Sequence, residues 1–164
     1  MDPQTSIDEY FLLYTRCNII ITGYPTSLSN HSVVAKQLAS DFGELCSSPV
    51  EFHTNTTTIP SNEAINIVSS DFVPLADEPW DVCIFILTPP DVLYKRGLDE
   101  SQLPDSSQTT DTIKEYAPPH TRIMTDNTVK LLKRVDERYN LYYQTILPYI
   151  VEELAQKNVL YNTI

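Results

Sequence analysis

Two short runs constrain this chain more than anything else in it. They are Asn18-Ile19-Ile20-Ile21-Thr22, ended by Gly23, and Asp81-Val82-Cys83-Ile84-Phe85-Ile86-Leu87, ended by Pro89 and Pro90. Both are β-branched or aromatic almost throughout, with no polar alternation. A strand half-facing water alternates; one covered on both faces does not, so each run reads as a buried parallel strand. Parallel neighbours need a crossover, and Ser32 to Phe42 supplies a helical one. Val33, Val34, Leu38 and Phe42 lie toward one side, and Gly43 is a stop signal. The expectation is an α/β domain: a parallel β-sheet flanked by helices and joined by right-handed crossovers.

The rest of the chain is fitted around that frame. Residues 4–16 read as a short helix, with Ser6 and Glu9 at capping-box spacing, so 1–17 is an N-terminal extension. Val50-Glu51-Phe52 is a short strand, and Ala64 to Val68 a brief helix or strand. Asp91 to Arg96 begins a helical turn. Residues 97–121 are polar, carry Pro104, Pro118 and Pro119, and read as a lid-like loop insertion. Asn127 to Lys157 reads as a long helix broken near Pro148, with Asp126 and Asn127 as its N-cap. Val159 to Ile164 suits a closing strand. Residues 18–164 thus form a single domain, of a size able to bury a core.

Composition narrows the function classes. Lys and Arg number 11 against 22 Asp and Glu, a net charge of −11, which opposes nucleic-acid and anionic-membrane binding. The three cysteines are widely spaced, with no zinc pattern, and no metal site is expected. Cys83 reads as a small buried hydrophobe, and free thiols suit a reducing compartment. The acidic start does not have the order of a secretory signal, and no apolar run reaches membrane-spanning length, so no membrane insertion and a cytoplasmic location are expected.

Three stretches in order resemble the adenylate kinase family of nucleoside monophosphate kinases, over about half the chain. Ile19 to Pro25 followed by Ser32 to Ala39 is similar to its strand, phosphate loop and first helix. Phe85 to Arg96, with Pro90-Asp91-Val92-Leu93, resembles its strand and Pro-Asp-Glu-x-Leu-x-x-Arg segment. Arg138, Tyr142, Pro148 and Ile150 resemble its last helix. The resemblance implies a P-loop-type fold and, in an active member, ATP and Mg²⁺. It would place nucleotide contacts at Gly23, His31, Ser32, Arg96, Arg122, Arg134 and Arg138.

The departures fall on the cations. A phosphate loop reads G-x-x-x-x-G-K-[ST], its glycines freeing backbone N–H groups and its lysine reaching the β/γ-phosphates. Here only Gly23 remains, Leu28 stands where glycine is expected, and no lysine precedes Ser32. The family's phosphate-binding arginine in an Asp-Gly-x-Pro-Arg turn is Leu75, and a second, after Arg96, is Glu100. The substrate-binding arm between Phe42 and Asp71 is reduced. Phosphoryl transfer rests on positioning and cationic stabilisation. The expectation is therefore no catalytic residue, no cofactor, and a non-catalytic interaction or scaffold subunit of a larger assembly, a ciliary or other complex being conceivable by analogy. The alternatives are a divergent kinase acting on a nucleoside monophosphate, or a nucleotide-binding sensor.

Bland readings stand beside these. His31 is otherwise a loop histidine, standing in for the lysine only as an imidazolium. Arg96 is otherwise a solvated helix residue. Arg122, Arg134 and Arg138 otherwise sit in exposed pairs, the last two near Asp136 and Glu137. Tyr10, Phe11 and Tyr14, and Tyr139, Tyr143 and Tyr149, are the expected protein-partner residues, since tyrosine is enriched at interfaces.

Overall fold

The computed structural model describes residues 10–12, 17–24, 29–45, 49–56, 58–59, 64–71, 74, 77, 79–102, 106–129, 131, 141–156 and 160–162. In chain order the elements are β1 (Tyr10–Leu12), β2 (Cys17–Tyr24), α1 (His31–Leu45), β3 (Val50–Thr54), β4 (Ile65–Ser70), β5 (Val82–Leu87), α2 (Pro90–Lys95), a 3₁₀ turn (Glu100–Gln102), α3 (Ser106–Tyr116), β6 (Arg122–Thr125), a π-helical segment (Leu141–Ile146), α4 (Leu147–Gln156) and β7 (Leu160–Asn162). Five strands form one sheet in the order β3-β4-β2-β5-β6. Every pairing in it is parallel, for example Ile20 with Val68 on one side and Cys83 on the other. The expected α/β architecture is present.

The two apolar runs are β2 and β5, adjacent at the centre, which is why neither alternates. One face of β2 presents Cys17, Ile19 and Ile21 to Val34, Leu38 and Phe42 of α1 and to Ile150, Val151 and Leu154 of α4. Those helix spacings of three and four residues keep one stripe on the sheet. The other face buries Ile20 and Val68 with Trp80 and Cys83, and Phe85 with Ile113 and Ala117 of the α3 region. Each fully buried Ile, Leu or Phe contributes about 1.5–3 kcal/mol of transfer free energy.

Several readings need correction. Residues 97–121 are not one polar loop. They hold α3, and its Ile113, with Ala117 just past its end, packs beneath Phe85. So sparse a stripe gives almost no periodic signal. Asn127 does not open a helix: residues 127–129 and 131 are extended or irregular, and 132–140 lie outside the described residues. The break expected near Pro148 is there, as a change of helix type at Leu147. Pro148 is the second residue of α4, where the chain passes from the π-helical turn into the α-helix, a place where the regular hydrogen-bond ladder is already interrupted. Tyr10–Leu12 is a strand rather than helix, and the rest of 4–16 lies outside the described residues. Its partner is β7, antiparallel, so the C-terminal strand closes against the N-terminal one instead of joining the main sheet. Ala64–Val68 resolves to strand.

Helix α2 ends in a Schellman motif that reading the sequence did not find. Gly97 takes φ 109°, Leu98 N–H donates to Leu93 O at 3.0 Å, and Gly97 N–H to Tyr94 O at 3.0 Å. Only glycine adopts that backbone without strain.

Cys17 and Cys83 are buried and form no disulfide among the described residues. Burial pushes the Cys83 thiol up to about 11, although the Thr121 hydroxyl donates to its sulfur at 3.2 Å. Because the thiolate is the nucleophile, neither should be alkylated by iodoacetamide at pH 8 in the native protein, and both should label fully in denaturant. Mass spectrometry of the tryptic peptides checks this; rapid native labelling of Cys83 would mean that the sheet face over it opens.

Candidate functional site

In an open parallel sheet the crevice lies outside the carboxyl ends of two neighbouring strands whose connections leave in opposite directions. Here those strands are β2 and β5. From β2 the chain crosses through α1 to β3 at one edge; from β5 it crosses through α2 and α3 to β6 at the other. The crevice is bounded by Gly23 and the start of α1, by Asp71 just past β4, and by Thr88 just past β5. Residues 25–28, the centre of the would-be phosphate loop, lie outside the described residues.

His31, the first residue of α1, turns inward and is 1% exposed. Its imidazole lies over Gly23: a Cβ built on Gly23 would stand 2.9 Å from His31 Nδ1, 2.9 Å from Ser29 Cβ and 3.2 Å from Ile86 O. Glycine is needed here for close approach, and what approaches is the chain's own His31 and Ser29 side chains and the Ile86 carbonyl. His31 Nε2 lies 2.9 Å from Asp71 Oδ1. Asp71 is itself fixed, since its N–H donates to Asn55 Oδ1 at 3.0 Å, with Asn55 at φ 52°.

Burial lowers the His31 pKa from its ordinary 6.5, more than the Asp71 hydrogen bond and charge raise it. Contact with a carboxylate would ordinarily make an ion pair, but desolvation dominates in a site this closed, and the imidazole is neutral. Nε2–H then donates to Asp71, and Nδ1 is left as an acceptor with no hydrogen-bond partner among the described residues. Thr88 Oγ1, 1% exposed, also has no partner among the described residues. The carboxyl edge of the sheet thus carries a neutral imidazole paired with a carboxylate and, past β5, a buried hydroxyl. Among the described residues no lysine or arginine pairs with Asp71.

With the folded pKa below 6.5, the unfolded chain binds more protons, so stability is full above pH 6.5 and falls as pH drops through the window beneath it. The wild type should lose more melting temperature between pH 7.5 and 5.5 than His31→Gln, which cannot titrate. Equal slopes would mean that His31 is not held neutral.

The other expected nucleotide contacts are dispersed. Ser32 is half-buried in the first turn of α1. Arg96 is enclosed: its guanidinium donates to Asp126 Oδ2 at 2.9 Å, to Val129 O at 3.3 Å and to Thr128 O. Asp126 accepts from Thr128 N–H and donates its own N–H to Leu87 O, so it forms a turn rather than a helix cap. Arg122 is exposed on β6, its guanidinium 5.6 Å from the Tyr149 ring centre. Arg134 and Arg138 lie outside the described residues, as do Tyr14 and Tyr139; Tyr10 and Phe11 are placed only as backbone of β1. Tyr143 and Tyr149 are half-buried against the main core, Tyr143 edge-on to Tyr142 at 4.8 Å. The exposed tyrosines among the described residues are instead Tyr94, 57%, and Tyr116, 60%.

Reading the sequence did not single out Asp71 or Thr88 as site residues. Each directly follows a strand, and in a parallel sheet that position alone puts a polar side chain at the carboxyl edge.

No helix among the described residues is long and apolar enough to cross a membrane. No group of three or more metal-ligating side chains is found among them. No protein-family model matches the chain, and no curated protein or solved structure matches it either.

Proposed function

We propose that this chain is a non-catalytic α/β domain of the nucleoside monophosphate kinase type, an interaction or scaffold subunit of a larger assembly. One observation carries the reading: where a phosphate grip would need convergent N–H groups and a lysine, the neutral His31 imidazole closes over Gly23 and pairs with Asp71. A triphosphate brought there would face a carboxylate. At low effective dielectric, exchanging a cation for an anion reverses an interaction of several kcal/mol. The sheet and its helices survive this because the core stabilises the fold while loops carry chemistry. Tyr94 and Tyr116 supply exposed aromatic contact of the kind interfaces use.

Two measurements test it. A coupled assay of transfer from ATP to AMP should give no turnover above the Gly23→Ala, Arg96→Met background. Melting with millimolar ATP, ADP or AMP, with and without Mg²⁺, should show no specific shift, whereas a ligand at 100 times its Kd would stabilise by about 2.7 kcal/mol. Turnover would establish a divergent kinase, and a saturable shift without turnover a nucleotide sensor. Either result overturns the proposal.

A further inference from the structure

Strand β6 ends the sheet on one side. It pairs with β5 along one edge and with no described strand along the other. One hydrogen bond fixes which of its backbone groups point outward. The N–H and C=O of a strand residue leave on the same side, and the side alternates along the chain. Asp126 N–H donates to Leu87 O at 2.8 Å, so Asp126, Met124 and Arg122 turn their backbone groups toward β5. Ile123 and Thr125 turn theirs to the open edge.

A cavity of about 440 Å³ lies there, lined by Ile113 and Lys114 of α3, the Pro118–Pro119 turn, Arg122 and Ile123. Its walls come from both faces of the sheet. Arg122 lies on the α4 side, 5.6 Å from the Tyr149 ring centre, as does Met124 in the core beneath α1 and α4. Ile123 lies on the other side, with Phe85 and Ile113 of α3. A space bounded by side chains of opposite faces runs past the rim of the strand rather than over one face.

The charge at this rim is of the minority sign. The chain has 11 basic residues against 22 acidic ones, yet the described lining holds Lys114 and Arg122 and no carboxylate. Neither makes an ion pair among the described residues. Because they stand on opposite sides of the strand, no single anion meets both. A chain whose side chains alternate between the two sides does.

We infer that the open edge of β6 takes an extended acidic peptide of a partner protein, added to the sheet as a sixth strand. Its backbone bonds to the N–H and C=O of Ile123 and Thr125. Directly opposed residues of neighbouring strands share a face. The residue beside Arg122 is therefore Asp or Glu, and the one beside Ile123 is apolar and enters the cavity against Ile113 and the prolines. Lys114 adds a positive flank on that second side. In this mode main-chain bonds supply affinity and alternate side chains supply specificity. A second copy of the chain fits less well, since it brings the same cations to the edge and a further net charge of −11. The inference deepens the interaction role proposed above, but it rests on the sheet edge and not on the crevice. Nucleotide turnover would overturn that role and leave peptide binding here unchanged.

The test is ¹H–¹⁵N NMR of the full chain titrated with the peptide Ac-Glu-Val-Asp-Val-Glu-Val-NH2, with amide hydrogen exchange measured before and after. In the free chain the Ile123 and Thr125 amides should exchange fast and Met124 slowly. Saturable shifts along β6 are expected, and saturation should slow exchange at Ile123 and Thr125 severalfold. The charge-reversed peptide Ac-Lys-Val-Thr-Val-Lys-Val-NH2 should bind at least tenfold more weakly, although the net charge of the chain favours it. Arg122→Gln, at an exposed position, should melt with the wild type and weaken the acidic peptide about tenfold, the loss of one charge-assisted contact. No shift at about 2 mM peptide overturns the inference, since that reaches sub-millimolar dissociation constants. So does equal binding of the two peptides, or binding that leaves Ile123 and Thr125 exchange unchanged. Slow exchange at both amides in the free chain, at any concentration, would show the edge already covered; slowing that grows with protein concentration alone would assign it to a second copy. Either overturns it as well.

Discussion

Replacing Arg96 with methionine should destabilise the domain by about 3–5 kcal/mol, because it strands a buried carboxylate. Asp126 is 1% exposed, the Arg96 side chain fully enclosed, and the two lie 2.9 Å apart. Arg96 also donates to the carbonyls of Val129 and Thr128, so its removal leaves three acceptors short of a donor. It joins the end of α2 to the segment after β6, and Asp126 joins that segment to Leu87. Arg96→Lys should recover only part of the loss, since an ammonium cannot reproduce the planar fork. Equilibrium urea unfolding measures it. A cost below about 1 kcal/mol, the range of exposed pairs, would show the pair to be solvated, and would return Arg96 to the set of side chains free to meet a ligand.

Tyr142→Phe should cost about 1–3 kcal/mol by leaving Asp41 underpaired in the core. Tyr142 is fully buried and donates its hydroxyl to Asp41 Oδ2 at 2.6 Å, across 101 residues of sequence. Gln37 donates to the other carboxylate oxygen at 2.9 Å. Burial first, then the Asp41 charge and hydrogen bond, raise the tyrosine pKa well above its ordinary 10, so the hydroxyl remains a donor throughout the neutral range. Tyr142→Phe combined with Asp41→Leu should be less destabilised than the single phenylalanine variant, because no uncompensated charge is then left behind. Additive losses would show that the two groups do not act as a pair.

These two contacts also mark where the sequence stops being legible. β2, β5 and α1 were readable because their information is local: Ile19-Ile20-Ile21 and Val82 to Leu87 cannot be anything but covered strand, and Val34, Leu38 and Phe42 repeat at helical spacing. The parallel sheet then follows from the crossover. α3 was not readable because two apolar residues under Phe85 suffice to dock it, too few to make a pattern. β6 is four residues long, shorter than any window that senses alternation. Asp126 carries the local signature of a helix cap and is used instead as the counter-charge of Arg96, 30 residues away. The carboxyl end of β2 was legible as the place to look, from Gly23 and the helix after it. What occupies it was not, since the His31 to Asp71 contact spans 40 residues and exists only because β4 pairs beside β2.

Imidazole ¹⁵N NMR of His31 reads that contact directly, in a pH titration run with and without Mg²⁺-ATP. The expected spectrum is a single neutral tautomer, protonated on Nε2, that persists below pH 6.5 and does not move when nucleotide is added. An imidazolium above pH 6.5, or a His31 resonance that shifts saturably with Mg²⁺-ATP, would contradict it, because the crevice would then hold the positive charge and the open space that a phosphate needs.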